Sequence, residues 1–159
     1  MKIKILCVGK LKEKFFKDAV DEYLKRMLKF ADVEIIEVPD EKTDEKAGPN
    51  DVKIVLSKEG ERLMKHIKES DHVITLDIKG KKLDSPGLAS YIGNTINQGK
   101  SSIAFVIGGS WGLSDSIKNR SDLALSFSDM TFPHQLMRVI LLEQIYRAFK
   151  INANEPYHK

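Results

Sequence analysis

Short apolar runs alternate with stretches of helical spacing along the whole chain. Lys2–Gly9 reads as a buried strand ended by a glycine. Lys12–Phe30 places Phe16, Val20, Leu24 and Met27 on one stripe with charges between them, which predicts an amphipathic helix. Val33–Val38 predicts a second strand, stopped by Pro39. The polar segment Asp40–Asn50, with Gly48-Pro49, reads either as a solvated loop or as a flap over a substrate. A second helix is expected from Asn50 or Asp51 to about Glu69, with Val52, Leu56, Leu63 and Ile67 facing inward and Gly60 weakening it locally. His72–Leu76 is the third predicted strand, and Asp77–Lys82 a turn. Ser85 should cap the next helix, with Pro86 at its first position and an end near Gly99. Ser102–Ile107 and Leu123–Phe127 predict two more strands, and a polar helical segment lies between them. Thr131-Phe132-Pro133 opens a long last helix to about Ile151, followed by a tail. Strands alternating with helices predict an α/β fold with a mostly parallel sheet, and the length fits one domain spanning 1–159.

The last helix departs from a simple amphipathic pattern. Arg138 falls in the middle of the face made by Leu142, Ile145 and Phe149, with His134 nearby. Glu143 and Arg147 lie four apart on the other side, where Leu136 and Ile140 also intrude. A helix apolar around so much of its circumference is expected to be buried on two sides, the second side being a candidate subunit interface. A guanidinium on an apolar face needs an anion or several acceptors. Arg138 is therefore either half of a structural salt bridge or a phosphate or substrate contact.

Composition removes several classes of function. The only cysteine, Cys7, rules out an intrachain disulfide and sits in an apolar run, where it behaves as a small hydrophobe. No apolar run approaches a membrane span, and the N-terminus reads as a first strand rather than a signal peptide. The formal net charge is +3 and the pI about 8.8, which permits contact with RNA without demonstrating it. The chain has neither a G-x-x-x-x-G-K-[ST] loop nor a G-x-G-x-x-G fingerprint. One cysteine and four scattered histidines make no zinc pattern.

Three segments carry candidate chemistry. Ile107-Gly108-Gly109-Ser110-Trp111-Gly112-Leu113 follows a predicted strand, and its glycines allow a sharp turn and close approach of a ligand. Trp111 is either a packing anchor or a lid. The other two segments are Ser126–His134 and the terminal Asn154-Glu155-Pro156-Tyr157-His158.

Together with Leu76-Asp77-Ile78-Lys79-Gly80-Lys81, Arg138 and Pro156-Tyr157-His158, these segments resemble the RlmH family over essentially the whole chain. These are SPOUT-class methyltransferases that modify a pseudouridine in bacterial large-subunit (23S) ribosomal RNA. Ser110-Trp111 departs from the family, which often carries Pro and a smaller or acidic residue there. The resemblance implies a SPOUT-type α/β domain whose C-terminal part forms a deep trefoil knot. About 70–159 would be the cofactor-binding region, with a dimer-forming last helix. It implies S-adenosylmethionine as methyl donor, held at Leu76, Gly108, Phe127, Ser128, Asp129, Met130, Thr131 and Phe132. It also implies a cytoplasmic homodimer acting on the ribosome without a metal. A knot-class transfer-RNA methyltransferase and a non-catalytic ribosome assembly factor are the alternative readings.

On that resemblance, the reaction would place a methyl group on N3 of the pseudouridine. That nitrogen is a poor nucleophile until its proton leaves. His158 is then the first candidate for base or orienter, Tyr157 for stacking or hydrogen bonding to the target, and Arg138 for a phosphate or developing charge. Lys10, Lys12, Lys14, Lys79, Lys81 and Lys82 are either phosphate contacts or ordinary solvated lysines.

Overall fold

Strand β1 (Lys2–Val8) alternates between two cores. Ile3, Ile5 and Cys7 enter one, and Leu6 and Val8 the other. A strand buried on both faces reads as a near-continuous apolar run, interrupted here only by Lys4, which is itself buried in an ion pair with Asp71. The computed structural model describes residues 1–159. The other elements, in chain order, are α1 (Lys14–Met27), β2 (Asp32–Val38), α2 (Pro49–Met64), β3 (His72–Lys82), α3 (Ser85–Asn97), β4 (Ser102–Ile107), α4 (Asp115–Arg120), β5 (Leu123–Ser126) and α5 (His134–Asn152).

The five strands form one parallel sheet in the order β2-β1-β4-β3-β5. Val20 and Met27 of α1, Leu88 and Ile92 of α3, and Leu141, Leu142 and Ile145 of α5 pack on one face. Leu63 of α2 and Ile117 of α4 cover the other. The mostly parallel sheet flanked by helices is thus as the sequence predicts. β1 sends its chain to α1 on one face, while its neighbour β4 sends its chain to α4 on the opposite face. A crevice between two such strands, at their C-terminal ends, is where open α/β sheets bind ligands.

Several boundaries differ from the sequence reading for identifiable reasons. The helix predicted to start at Asn50 or Asp51 starts at Pro49, whose fixed φ suits a first turn, and it stops at Met64. Gly60 does not interrupt it: a Cβ there would lie 2.2 Å from Ser114 Oγ, so the missing side chain lets α2 and α4 close together. Asp84, not Ser85, caps α3, accepting the Gly87 N–H at 2.7 Å. α5 opens at His134 rather than at Thr131, because the residue before a proline is driven out of helical geometry, and Pro133 itself is extended (φ −56°, ψ 142°).

The largest difference lies in β3. The predicted turn at Asp77–Lys82 is real, but it sits inside a strand. Leu125 of β5 is opposite both Leu76 and Lys81, so Asp77–Gly80 leaves the ladder as a four-residue bulge and β3 then resumes pairing. Gly80 makes this possible, since a Cβ there would lie 2.5 Å from the Ala124 carbonyl oxygen.

Candidate active site

The bulge of β3, the glycine loop after β4 and the segment after β5 converge at the C-terminal edge of the sheet. They enclose a cavity of about 420 Å³. Of the expected donor contacts, Leu76, Gly108, Phe127, Ser128, Met130, Thr131 and Phe132 all line it. Asp129 does not. Its carboxylate turns outward to Lys82 Nζ at 2.5 Å and is mostly exposed.

The glycine loop is held as a tight reversal. Gly112 has φ +92° and donates its N–H to the Gly109 carbonyl at 3.1 Å. Gly108 packs so closely under this turn that a Cβ would lie 2.4 Å from the Gly112 oxygen. From Phe127 to Phe132 no main-chain group takes part in a backbone–backbone hydrogen bond. Ser128 Oγ accepts from the Met130 N–H, and the Ser128 carbonyl accepts from Ser126 Oγ. The remaining N–H and C=O groups are free to read the edge of a ligand, the role that the first part of this segment shares with other strand-end loops. The side chains of Leu76, Leu125, Ile107 and Met137 make the floor apolar. Asp77, paired at 3.9 Å with Lys118, is the acid in the lining.

A second, smaller cavity of about 180 Å³ adjoins the first and shares Gly109, Ser110, Trp111 and His134 with it. Trp111 therefore stands between two chambers rather than packing in the core, and is 39% exposed. Arg138 lines this second chamber, yet it is also half of a salt bridge. Its Nη1 donates to Glu37 Oε2 at 2.7 Å and its Nη2 to the Gly9 carbonyl at 3.3 Å, while its Nε is buried without a partner. The structural salt bridge expected of Arg138 is thus present, and the residue also borders the smaller chamber. Burial resists the charge on Glu37, but Arg138 and the Leu11 N–H outweigh it and hold the carboxyl below its usual range. Burial, with Arg138 beside it, pushes the His134 imidazole toward its neutral form.

The tail is placed elsewhere. Tyr157 donates to Glu143 Oε1 at 3.1 Å and lies edge-on to Tyr146 at 4.9 Å, and the Arg147 guanidinium lies 3.2 Å from His158 Nδ1. Glu143 and Arg147 pair at 2.5 Å as the spacing suggested. Glu143 is five residues beyond Arg138, the last residue of α5 to line either chamber, so the tail contacts α5 roughly 7 Å further along its axis. His158 and Tyr157 are therefore not joined to Arg138 or the donor contacts within one chain.

Two residues at these chambers were missed by the sequence reading as chemistry. Glu59 is buried in the wall of the smaller chamber, and His134 stands at the junction. Lys58-Glu59-Gly60-Glu61 looks like a solvated helix face. The one available signal was Gly60, which marks a close approach beside it. Elsewhere, Cys7 is buried and its thiol is pushed up to about 12, chiefly by burial. No group of three or more His, Cys, Asp or Glu is placed to hold a metal ion, and no helix is long and apolar enough to cross a membrane.

The sequence and the fold match a known class. A family model described as "Predicted SPOUT methyltransferase" matches residues 1–158, and the chain belongs to the SPOUT methyltransferase family. It is 57% identical over 159 residues, all of both chains, to "Ribosomal RNA large subunit methyltransferase H" of Clostridium novyi (strain NT). The protein of the same name from Clostridium botulinum (strain 657 / Type Ba4) is 55% identical over the same span. The fold is shared with a probable methylase family protein from Haemophilus influenzae Rd KW20. That likeness has TM-score 0.57 and 14% identity, and covers 99% of this chain and 70% of the other.

Proposed function

We propose that this protein transfers a methyl group from S-adenosylmethionine to N3 of a pseudouridine in large-subunit ribosomal RNA, on the assembled ribosome in the cytoplasm. The observation that carries the reading is the larger cavity. Its volume falls within the range of small-molecule sites, its floor is apolar, and the main chain of its wall from Phe127 to Phe132 makes no backbone–backbone hydrogen bond. These features suit an adenosine: free amide groups for the base edge, apolar surface for its faces, and Asp77 for hydroxyls or positive charge. The relatives named for ribosomal RNA methylation, aligned end to end with this chain, support the class of acceptor.

When bound, the donor supplies a methyl group on a sulfonium; the chain's own residues do the rest. Leu76, Gly108 and the Phe127–Phe132 main chain hold and orient it. Trp111 and Ser110 separate donor from acceptor space and limit water. Arg138 and Lys10 face the acceptor chamber, where negative charge develops as the imide proton leaves. Lys10, Lys12, Lys79 and Lys81 are exposed and suit phosphate contacts, whereas Lys14 and Lys82 are already paired with Asp18 and Asp129.

The remaining features of the reading concern topology and assembly. A single domain, with about 70–159 as the donor-binding part, is supported by a donor cavity built wholly from Leu76–Met137. A trefoil knot at the C-terminus is supported by the way Phe127–Phe132 runs against both the β3 bulge and the glycine loop before α5 packs back onto α1 and α3. A homodimer is supported by the half-open second side of α5, where Leu136 is 37% exposed, and by a tail that stays away from its own chain's chambers. The test is nucleoside analysis of ribosomal RNA after incubation with the protein and donor. A new N3-methylated pseudouridine is expected; a methyl on another nucleoside, or on transfer RNA, would overturn the acceptor assignment.

A further inference from the structure

The smaller chamber lies between the C-terminal ends of β1 and β4, in the crevice where their connections depart to opposite faces of the sheet. Val8, Gly9 and Lys10 form one side and Gly109–Trp111 the other. Its volume equals that of about six waters, which suits a single planar ring rather than a nucleotide. Glu59 reaches it from α2, only 4% exposed. One oxygen, Oε2, accepts the Glu41 N–H at 3.0 Å; the other, Oε1, makes no hydrogen bond and lies 3.1 Å from where a Cβ on Gly109 would be. Gly109 belongs to both chambers, so this free carboxylate oxygen faces the boundary between donor and acceptor space. A second unpartnered polar atom, Arg138 Nε, is buried in a residue of the same chamber, itself 2% exposed.

We infer that Glu59 is the proton acceptor of the reaction: its free oxygen takes the N–H proton of a uracil-type imide seated in this chamber. The inference rests on the proposed methyl transfer. The balance is simple. The N–H bond breaks and its proton goes to Glu59 Oε1. The nitrogen lone pair forms the new bond to the methyl carbon as the carbon–sulfur bond breaks, and the sulfonium becomes a neutral thioether. The proton then leaves Glu59 for solvent. Arg138, Lys10 and Lys12 offset the charge on the imide while it is an anion. Burial raises the proton affinity of Glu59 and outweighs the Glu41 N–H and Arg62, which oppose it, while the charges of Asp40 and Glu41 add to the rise, so this carboxylate is a stronger base than an exposed one. His134 also lines the chamber, where burial and Arg138 favour its neutral form.

The test combines kinetics with a readout that needs no turnover. In single-turnover transfer to ribosomes, Glu59→Gln is expected to lose about 10²–10⁴-fold in rate while donor affinity stays within about threefold, with Glu59→Asp between the two. The native rate should level off above the Glu59 titration, whereas the residual rate of Glu59→Gln should keep rising with pH. In the native protein, the ¹³C resonance of the Glu59 carboxyl should titrate above the usual glutamate value. With S-adenosylhomocysteine bound, it should move when uridine is added and stay put with 3-methyluridine, which lacks the imide N–H. Retention of the native rate by Glu59→Gln, or a resonance indifferent to uridine, would overturn the assignment. If Glu59→Gln does not fold, the resonance decides alone. Failure of the native protein to methylate any ribosome would instead strike the proposed function, and uridine sensing at Glu59 would still be read independently.

Discussion

Arg138, enclosed by its own helix and the sheet, reaches Glu37 at the end of β2 with a 2.7 Å ion pair and holds the Gly9 carbonyl at 3.3 Å. One guanidinium thereby ties α5 to the β1–α1 loop that forms one wall of the smaller chamber. Gln135 Oε1 adds a second tie, accepting the Lys12 N–H at 2.8 Å.

This pair predicts a pH-dependent contribution to stability. Glu37 is held below the usual carboxylate range, so the folded state gains from its charge above about pH 4.3, and the gain disappears as pH falls through the folded value. Glu37 is a third exposed, so Glu37→Gln should cost only about 1 kcal/mol, or about 2–4 °C in Tm at neutral pH. Melting curves of both proteins from pH 7 to pH 3 should converge at the acid end.

A second ion pair is more deeply buried. Lys4 Nζ lies 2.7 Å from Asp71 Oδ2, with both side chains almost sealed. Burial resists the Asp71 charge, but Lys4 and the Lys68 N–H overcome it. Lys4→Met leaves that carboxylate unpaired and should cost about 3–5 kcal/mol, on the order of 10 °C in Tm. The double variant Lys4→Met, Asp71→Leu should recover most of the loss in a denaturant titration.

Two glycines should control the donor chamber more than the fold. In Gly108→Ala the new methyl meets the Gly112 carbonyl, and in Gly80→Ala it meets the backbone of β5 under the bulge. Each should weaken donor binding by at least about tenfold, since misplacement of roughly an ångström has that scale of effect. Trp111 is the only tryptophan and borders the chamber. Its fluorescence should therefore change on donor binding in the native protein and respond only at higher donor concentration in these variants.

The tail predicts complementation between chains. Deleting Pro156–Lys159 should abolish methylation and leave donor binding within about threefold of native, because Tyr157 and His158 make their hydrogen bonds to α5 and neither lines the larger cavity. Mixing this truncated chain with Gly108→Ala should restore part of the activity, since one mixed site would combine an intact donor chamber with an intact tail. No recovery on mixing would argue against a site completed by a second copy.

Much of this architecture could be read from residue patterns, and the exceptions are physical. β1 and β4 are mostly apolar on both faces, so their being buried strands followed from the residue pattern, while their order in the sheet did not. The β3 bulge did not, because Asp77–Gly80 carries genuine turn signals and only tertiary pairing with β5 returns the chain to the strand. Seven of the eight donor contacts that the resemblance implied line the larger cavity, at strand ends and beside glycines. Asp129 turned away because Lys82, forty-seven positions earlier, was brought beside it by the same bulge. Glu59 was hidden among the charges of an apparently solvated helix. His158, read as a base or orienter, lies against Arg147 and away from both chambers of its own chain.

Transfer of labelled methyl from S-adenosylmethionine to ribosomes from cells lacking this protein tests the central claim most directly. Assembled ribosomes, free large subunits and naked RNA are compared side by side. The account predicts label on a pseudouridine of the large-subunit RNA, strongest with assembled ribosomes. Measurable donor binding with no label on any of the three would contradict it.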